Sequence, residues 1–528
     1  MNLRQQNLEA LDGGTFDAFV IGGGINGAVS AASLAARGLS VGLAERGDFA
    51  SATSQESSNL VWGGFKYLQN YELPLVFKLS RSRNRLMRAY PTNVTEVGFL
   101  ATLDRTAPFP SWLAALGAVA YWGIGAFFTR KPAFFRQEKL EQKEPVINTS
   151  TAHAAIDYSD AYLRENDARF VWSFIRSALD NGAAAANYLS VEQAQWIPSD
   201  GVWSICLKDQ TDGKQLTATA KSLVNAAGPF LDGVNEKLDV TTEHKIVYSK
   251  GIHLVMPQIT ETERVLAFFD DTQRLFYVIP MANRSVIGTT DTRTTDPQEP
   301  VTDEDREFLL AQINARLDLD SPLTADDIIA ERNGVRPLVV TRGDNSHGEI
   351  DWTSLSRKHE LEIDTSRKVI SIFGGKLTDC LNIGDEVADA ADELGFTLAL
   401  DDESWFGEPP VADRDQFYRR AAAAGLDRQP EVDLAETAAE VLWRRHGNAA
   451  HQVLDAIDAD ASLAEPALNG TDVLKAELAL YSEREMIVSA EDFLRRRTKV
   501  ALIRSAEDLA IDPGMAEINR LFGELVTD

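Results

Sequence analysis

The stretch that most constrains this chain is DAFVIGGGINGAVSAASLAARGLSVGLAE, residues 17–45. An apolar run from Ala18 to Ile21 predicts a buried strand. Gly22, Gly24 and Gly27 then form G-x-G-x-x-G. Gly22 permits a tight turn, Gly24 lets backbone approach a pyrophosphate, and Gly27 allows close contact between helix and strand. Small residues at Ala28, Ala31, Ala32 and Ala35 predict a helix packed closely on a sheet, its N-terminal amides free for phosphate. LSVGLAE predicts a second strand ending at Glu45, an acid suited to accept hydrogen bonds from an adenosine ribose. A lone glycine-rich turn would say little. Strand, helix, strand and terminal acid in one register point to a bound dinucleotide.

The segment after Glu45 bears on which dinucleotide is bound. A nicotinamide-dependent chain usually continues with further strand–helix units. Here RGDFASATSQESSNLVWGGFKYL (46–68) is irregular and full of hydroxyls and glycines. Such a segment suits a flavin that stays bound, and on composition alone it equally suits a surface loop. Its glycine pair, Gly63 and Gly64, sits between Trp62 and Phe65 and implies that something approaches the backbone closely there.

The chain has 528 residues, which predicts two or three domains. Its two cysteines, Cys206 and Cys380, fit no metal or redox spacing and suit a reducing cytosol. The first residues show no basic region followed by an apolar core, so no secretory signal is expected. A net charge of −28 argues against a nucleic-acid partner and requires that any anionic ligand be met by local basic groups. LFYVIPMANRSVIGTT (275–290) predicts a hairpin turning at Ala282–Arg284, and KIVYSKGIHLVMP (245–257) another strand. DDESWFGEPPV, around 400–412, reads as a linker. DLAETAAEVLWRRHG and DVLKAELALYSEREM beyond it have helical periods and no catalytic constellation, as expected of a packing or oligomerisation domain. SWLAALGAVAYWGIGAFF (111–128) is uncharged and followed by Arg130 and Lys131. Its three glycines and two preceding prolines favour insertion at a membrane interface over a span, with a buried helix as the other reading. KLSRSRNRLMR (78–88) is a basic island that would suit anionic headgroups.

Several long motifs, in order, resemble the FAD-dependent glycerol-3-phosphate dehydrogenases of the aerobic, quinone-linked type. They are VIGGGINGA (20–28), ATSQESSNLVWGGFKYLQNYE (52–72), YSDAYLRENDARFV (158–171), LVNAAGPF (223–230), KGIHLVMP (250–257), YVIPMANRSVIGTTD (277–291), NGVRPL (333–338), SIFGGKLTD (371–379) and SAEDFLRRRTKVAL (489–502). The resemblance implies a mixed α/β and α+β architecture: a Rossmann-like FAD-binding domain of the D-amino-acid-oxidase/glycine-oxidase class, a β-rich substrate cap and a helical C-terminal domain. The oxidoreductase part would cover 1–400, with FAD-binding segments near 1–75, 160–240 and 350–400 and cap segments near 76–159 and 241–349. The helical domain would cover 401–528. The implied reaction is oxidation of glycerol 3-phosphate, with electrons passed to a membrane quinone from a cytoplasmic, peripherally attached enzyme. A homodimer is compatible with that picture.

The resemblance also implies roles. His253 is the candidate base, and Arg336 and Arg357 are the candidate phosphate cations, with Lys358 beside Arg357 as the alternative inward-pointing cation. Lys376 would stand beside the flavin, with Lys66, Tyr67 and Thr378 on the substrate. FAD would be held by Gly22, Gly24, Asn26, Gly27, Glu45, Thr53, Ser54, Ser58, Gly63, Gly64, Ala227, Gly228 and Gly375. No metal site is implied. Where the family usually reads S-S-K-L-x-H-G-G-x-R-Y-L, this chain has SSNLVWGGFKYL. Asn59 replaces a lysine, Trp62 a histidine and Lys66 an arginine. These departures bear on the substrate more than on the cofactor. They leave open another small anionic hydroxy or amino acid, an oxidase that uses oxygen, or a catalytically silent flavoprotein.

Overall fold

The computed structural model describes residues 2–68, 71–104, 110–269, 274–342, 358–399, 405–428, 436–523 and 525. Arg357 lies outside them. The strand Gly14–Ile21 pairs in parallel with Val41–Ala44 on one side and Gln215–Asn225 on the other. Ala184–Ala186 and Val369–Phe373 extend this parallel core outward in an eight-stranded sheet. The helix Ile25–Ala36 follows the glycine turn, as its small residues predict. Ala28, Ala31 and Ala32 are wholly buried on it, and a Cβ at Gly27 would fall 1.9 Å from the Gly22 carbonyl oxygen. Only a bare Cα permits that helix–strand approach.

A second, ten-stranded sheet is built largely from long antiparallel strands. His244–Pro257 runs beside Ala330–Thr341 along its length. The expected hairpin is present, with Leu275–Met281 and Arg284–Gly288 paired from Met281 and Arg284 onward. This is the β-rich sheet expected of the cap. The C-terminal helices, among them Ala438–His446 and Glu477–Arg484, carry apolar clusters of their own.

The basic island does not form a free cationic surface, contrary to the sequence reading. It lies on the helix Leu73–Ala89, where Arg83 is buried against Asp160 at 2.9 Å. Arg85 pairs with Asp385 at 2.6 Å, while Arg81 and Arg88 lie over the rings of Phe77 and Phe128. Lys78 reaches Asp379 and Glu386 at 3.4 and 3.2 Å. In an acidic chain, local carboxylates take up most of these cations before any outside anion can.

His359 completes that last cluster, with Nδ1 3.0 Å from Asp379 and Nε2 2.6 Å from Glu386. Burial alone would lower its pKa, but the bonds to the two carboxylates outweigh burial and lift it to about 9. The folded state therefore holds a proton that the unfolded chain releases near 6.5. The resulting stabilisation, on the order of 3 kcal/mol, is complete below about pH 6.5 and lost as pH rises toward 9. Urea denaturation across that window should show the wild-type loss, and His359→Gln should flatten it.

Candidate active site

The parallel strands end on a common edge, where open α/β sheets take their ligands. Gly22 follows the first strand and Glu45 the second. Ala226–Gly228 follow the third, and Gly374 and Gly375 the fourth. Together they border a cleft of about 1040 Å³. A smaller cavity of about 330 Å³ adjoins it and shares Thr53, Ser54, Glu56 and Gly375 as walls.

The large cleft is shaped for an extended polar group. Gly22 has φ +104°, and a Cβ there would lie 2.7 Å from the Ala226 carbonyl oxygen. Glu45 accepts from the amides of Gly23 at 2.6 Å and Gly47 at 2.8 Å. Burial nonetheless raises its pKa, an effect those amides only partly offset. Asn26 Oδ1 is buried without a hydrogen-bond partner among the described residues, an acceptor that a hydroxyl-bearing chain would satisfy. Thr53, Ser54, Ala227 and Gly228 also line this cleft.

Gly63 and Gly64 line neither cavity. A Cβ at Gly63 would meet Tyr121 Oη at 2.3 Å, and its amide donates to the buried Asp160 at 3.0 Å. What approaches is protein: the Arg83–Asp160–Tyr121 cluster at Gly63, and the side chains of Tyr67 and Leu79 at Gly64. Sequence alone shows that something must come close there, but not what. Gly27 likewise lies behind the cleft, against the strand. Ser58 lines the smaller cavity.

The floor of the smaller cavity rests on three glycines in neighbouring strands. His253 stands opposite Gly288, whose added Cβ would fall 2.3 Å from the imidazole Cδ2. Gly251 stands opposite Gly334; a Cβ on the former would meet the Arg336 guanidinium at 2.3 Å, and on the latter Glu56 Cβ at 3.0 Å. Without side chains at these positions, His253, Arg336 and Glu56 can lie down on the sheet. Arg336 donates to Thr289 Oγ1 at 2.8 Å and to the Thr290 carbonyl at 3.3 Å.

His253 is 2 % exposed, and both ring nitrogens lack a hydrogen-bond partner among the described residues. Burial, then the charges of Arg332 and Arg336, push its pKa well below 6.5 and keep the ring neutral. Lys376 Nζ donates to Tyr67 Oη at 2.9 Å, and the Trp62 and Tyr67 rings lie 5.7 Å apart on the same wall. Lys66 and the buried Thr378 also line this cavity. So does Lys358, the neighbour weighed against Arg357 in sequence, together with Arg274 and Glu56, which the sequence reading does not single out. It passes over Arg332 as well, although the spacing is legible. Residues 332, 334 and 336 alternate onto one face of a strand.

Residues 17–378 match the model of the FAD-dependent oxidoreductases, and residues 414–520 that of the C-terminal domain of alpha-glycerophosphate oxidase. The chain belongs to the family of FAD-dependent oxidoreductases. The cleft fits the cofactor in its glycine turn, its ribose-side acid and its uncommitted Asn26. Among relatives, the aerobic glycerol-3-phosphate dehydrogenase of Bacillus subtilis is 28% identical, over 94% of this chain and 90% of that one. A solved glycerol-3-phosphate dehydrogenase from Bacillus halodurans, complexed with FAD, superposes with a TM-score of 0.70 at 25% identity, covering 94% of this chain and 88% of that one. Glycine oxidase from Geobacillus kaustophilus shares the fold, with a TM-score of 0.52 at 18% identity, covering 72% and 95% of the two chains.

Gly22→Ala should strip the cofactor. A left-handed φ and a carbonyl contact together cost about 1–3 kcal/mol, so FAD affinity should fall about tenfold or more. The ratio of flavin to protein absorbance, with circular dichroism as the folding control, reads the result.

Proposed function

We propose that this chain oxidises the secondary alcohol of sn-glycerol 3-phosphate to the ketone of dihydroxyacetone phosphate and passes the electrons to a membrane quinone. One observation carries the reading. A buried, neutral imidazole with both nitrogens uncommitted stands on the floor of a cation-rich cavity, beside Arg336 and next to the flavin cleft. Similarity to aerobic glycerol-3-phosphate dehydrogenases over more than nine-tenths of the chain supports it.

Bound FAD supplies the two-electron acceptor. The chain's own residues do the rest. A ring nitrogen of His253 takes the hydroxyl proton, which a neutral buried imidazole is free to accept. Arg336 grips the phosphate with its planar fork, Lys66 and Lys358 add positive charge around it, and Lys376 stands on the flavin side, where a cation favours an anionic reduced flavin. Arg357, matched to a phosphate role by resemblance, belongs to the same proposal. Trp62 and Tyr67 wall the cavity against water, and Thr378 bonds substrate or cofactor. Gly22, Gly24, Asn26, Glu45, Thr53, Ser54, Ala227, Gly228 and Gly375 hold FAD, with Ser58 at the junction.

The acceptor end of the reading rests on the helix Ser111–Ile124. Ala114, Ala118 and Tyr121 bury one face, leaving Trp112 67% and Leu116 57% exposed on the other. Phe127 and Phe128 continue the apolar surface. No helix among the described residues is long and apolar enough to cross a membrane. A half-exposed apolar helix of this kind suits interfacial attachment, on the cytoplasmic side, where a quinone is within reach.

Anaerobic glycerol 3-phosphate should bleach the visible flavin band. Bleaching only by another hydroxy or amino acid would overturn the substrate, and bleaching by no organic substrate would leave the silent-flavoprotein reading. His253→Ala should slow that bleaching about 10²–10⁴-fold while dithionite reduction proceeds as before. Because His253 stays neutral far below 6.5, the wild-type rate should remain flat as pH falls through that value. An acid limb centred there would mean a different base. Wild type should float with liposomes containing anionic lipid, and Trp112→Ser/Leu116→Ser should remain at the bottom of the gradient.

A further inference from the structure

The C-terminal helical region, where the sequence offers no chemistry, contains a π-helical turn, Asp492–Arg497. Such turns are rare and concentrate at functional positions. This one carries three consecutive arginines, Arg495, Arg496 and Arg497, each at most 9% exposed. None of them lines either cavity. All three instead reach across to the irregular loop beyond Glu45.

Arg496 Nε and Arg497 Nη1 each donate to Asp48 Oδ2 at 2.8 Å, and Arg497 Nη2 donates to Oδ1 at 2.9 Å. Arg495 Nη2 donates to the Gln55 carbonyl at 2.8 Å and to Glu56 Oε2 at 3.1 Å. Arg332, on the strand Ala330–Thr341 of the second sheet, donates to the same Gln55 oxygen at 2.9 Å. The loop is thus held by two cationic groups belonging to different parts of the chain.

What the arginines hold is the wall of the cofactor cleft. Phe49, next to Asp48, packs so close to Gly23 that a Cβ there would lie 2.6 Å from its ring. The Ala50 amide donates to the Gly23 carbonyl at 3.1 Å. Gly23 is inside the phosphate-binding turn itself. Further along, Thr53, Ser54 and Glu56 separate the cofactor cleft from the substrate cavity. Between residues 46 and 59 the only helical piece among the described residues is the short 3-10 turn Thr53–Gln55. Segments with so little regular hydrogen bonding open easily unless tied from outside.

We infer that the Arg495–Arg497 turn is a positioning element for the flavin, through which the C-terminal domain presses residues 48–56 against the glycine turn and sets the affinity for FAD. The role depends on FAD and not on which alcohol is oxidised, so it stands or falls separately from the substrate.

The test titrates FAD into flavin-stripped, full-length Arg495→Met and Arg496→Met and compares thermal unfolding with and without FAD. Each substitution removes charged hydrogen bonds to the loop, so the Kd for FAD should rise about tenfold or more. The FAD-induced rise in Tm should shrink accordingly. Arg495→Lys, which keeps a charged donor, should recover most of the affinity. A purely structural turn would lower the Tm of the apoprotein and holoprotein equally and leave Kd within about twofold of wild type, and that result overturns the inference. If Arg496→Met does not fold, Arg495→Met decides, because it leaves the Asp48–Arg497 pair and the Arg332–Gln55 bond intact.

Discussion

The carboxylate of Asp48 has no contact with solvent, and two arginines 448 and 449 residues away in the chain neutralise it. A charge in such a place costs several kcal/mol unless its partners are well aligned and its remaining lone pairs are used. Asn187 takes one more, at 2.7 Å. The C-terminal helices and the cofactor-binding sheet therefore share one electrostatic joint. Neither can leave the other without exposing an unpaired buried charge. The residues in between supply the second sheet and also further strands of the first, Ala184–Ala186, Gln215–Asn225 and Val369–Phe373, so this joint fastens segments from opposite ends of the sequence onto one core.

The same balance of charge and burial operates at the site, with the opposite outcome for one group. Arg83 and Asp160 are buried as a pair behind Gly63, where burial raises the carboxyl's pKa and the guanidinium, the Tyr121 hydroxyl and the Gly63 amide work to hold it down. His253 is buried beside two guanidinium groups, whose charges add to the cost of desolvation, so the cheaper state is neutral. A cavity with several cations around an uncharged imidazole is suited to an anion whose proton must be taken, and it arises only because three glycines let bulky side chains lie flat on the sheet.

The acidic surface has a different consequence. With a net charge of −28, most basic side chains find an internal partner. The helix Leu73–Ala89 shows this plainly, since Arg83, Arg85 and Lys78 all face carboxylates of other elements. What remains distinctive on the outside is apolar rather than basic, on the outward face of Ser111–Ile124. Attraction of this surface to a bilayer would come from buried apolar area more than from charge.

Local pattern was enough for the strand–turn–helix–strand unit, because glycine spacing and small-residue periodicity act within a few residues of each other. It was enough for the hairpin around Ala282, and the long motifs carried His253, Arg336 and Lys376 to one cavity. Asn59 shows where local reading stops. Standing where a lysine is usual, it lies 3 % exposed and accepts from Arg332 at 3.3 Å, a partnership between residues far apart in the chain. The glycine pair of VWGGFKYL announced a close approach, but only packing decided that Tyr121 and Asp160 make it at Gly63, and Tyr67 and Leu79 at Gly64. The arginine run near the C-terminus was visible as composition, yet its target loop was not. Sequence by itself determined the strand–turn–helix elements, a dinucleotide site and the types of residue available for chemistry, because those follow from short-range periodicity and spacing, while FAD in particular was implied by the resemblance of the longer motifs. Which charges meet, which are silenced by burial and which glycine faces protein or cofactor were decided only by the tertiary structure, because desolvation and Coulomb energies depend on neighbours that the chain brings together from hundreds of residues away.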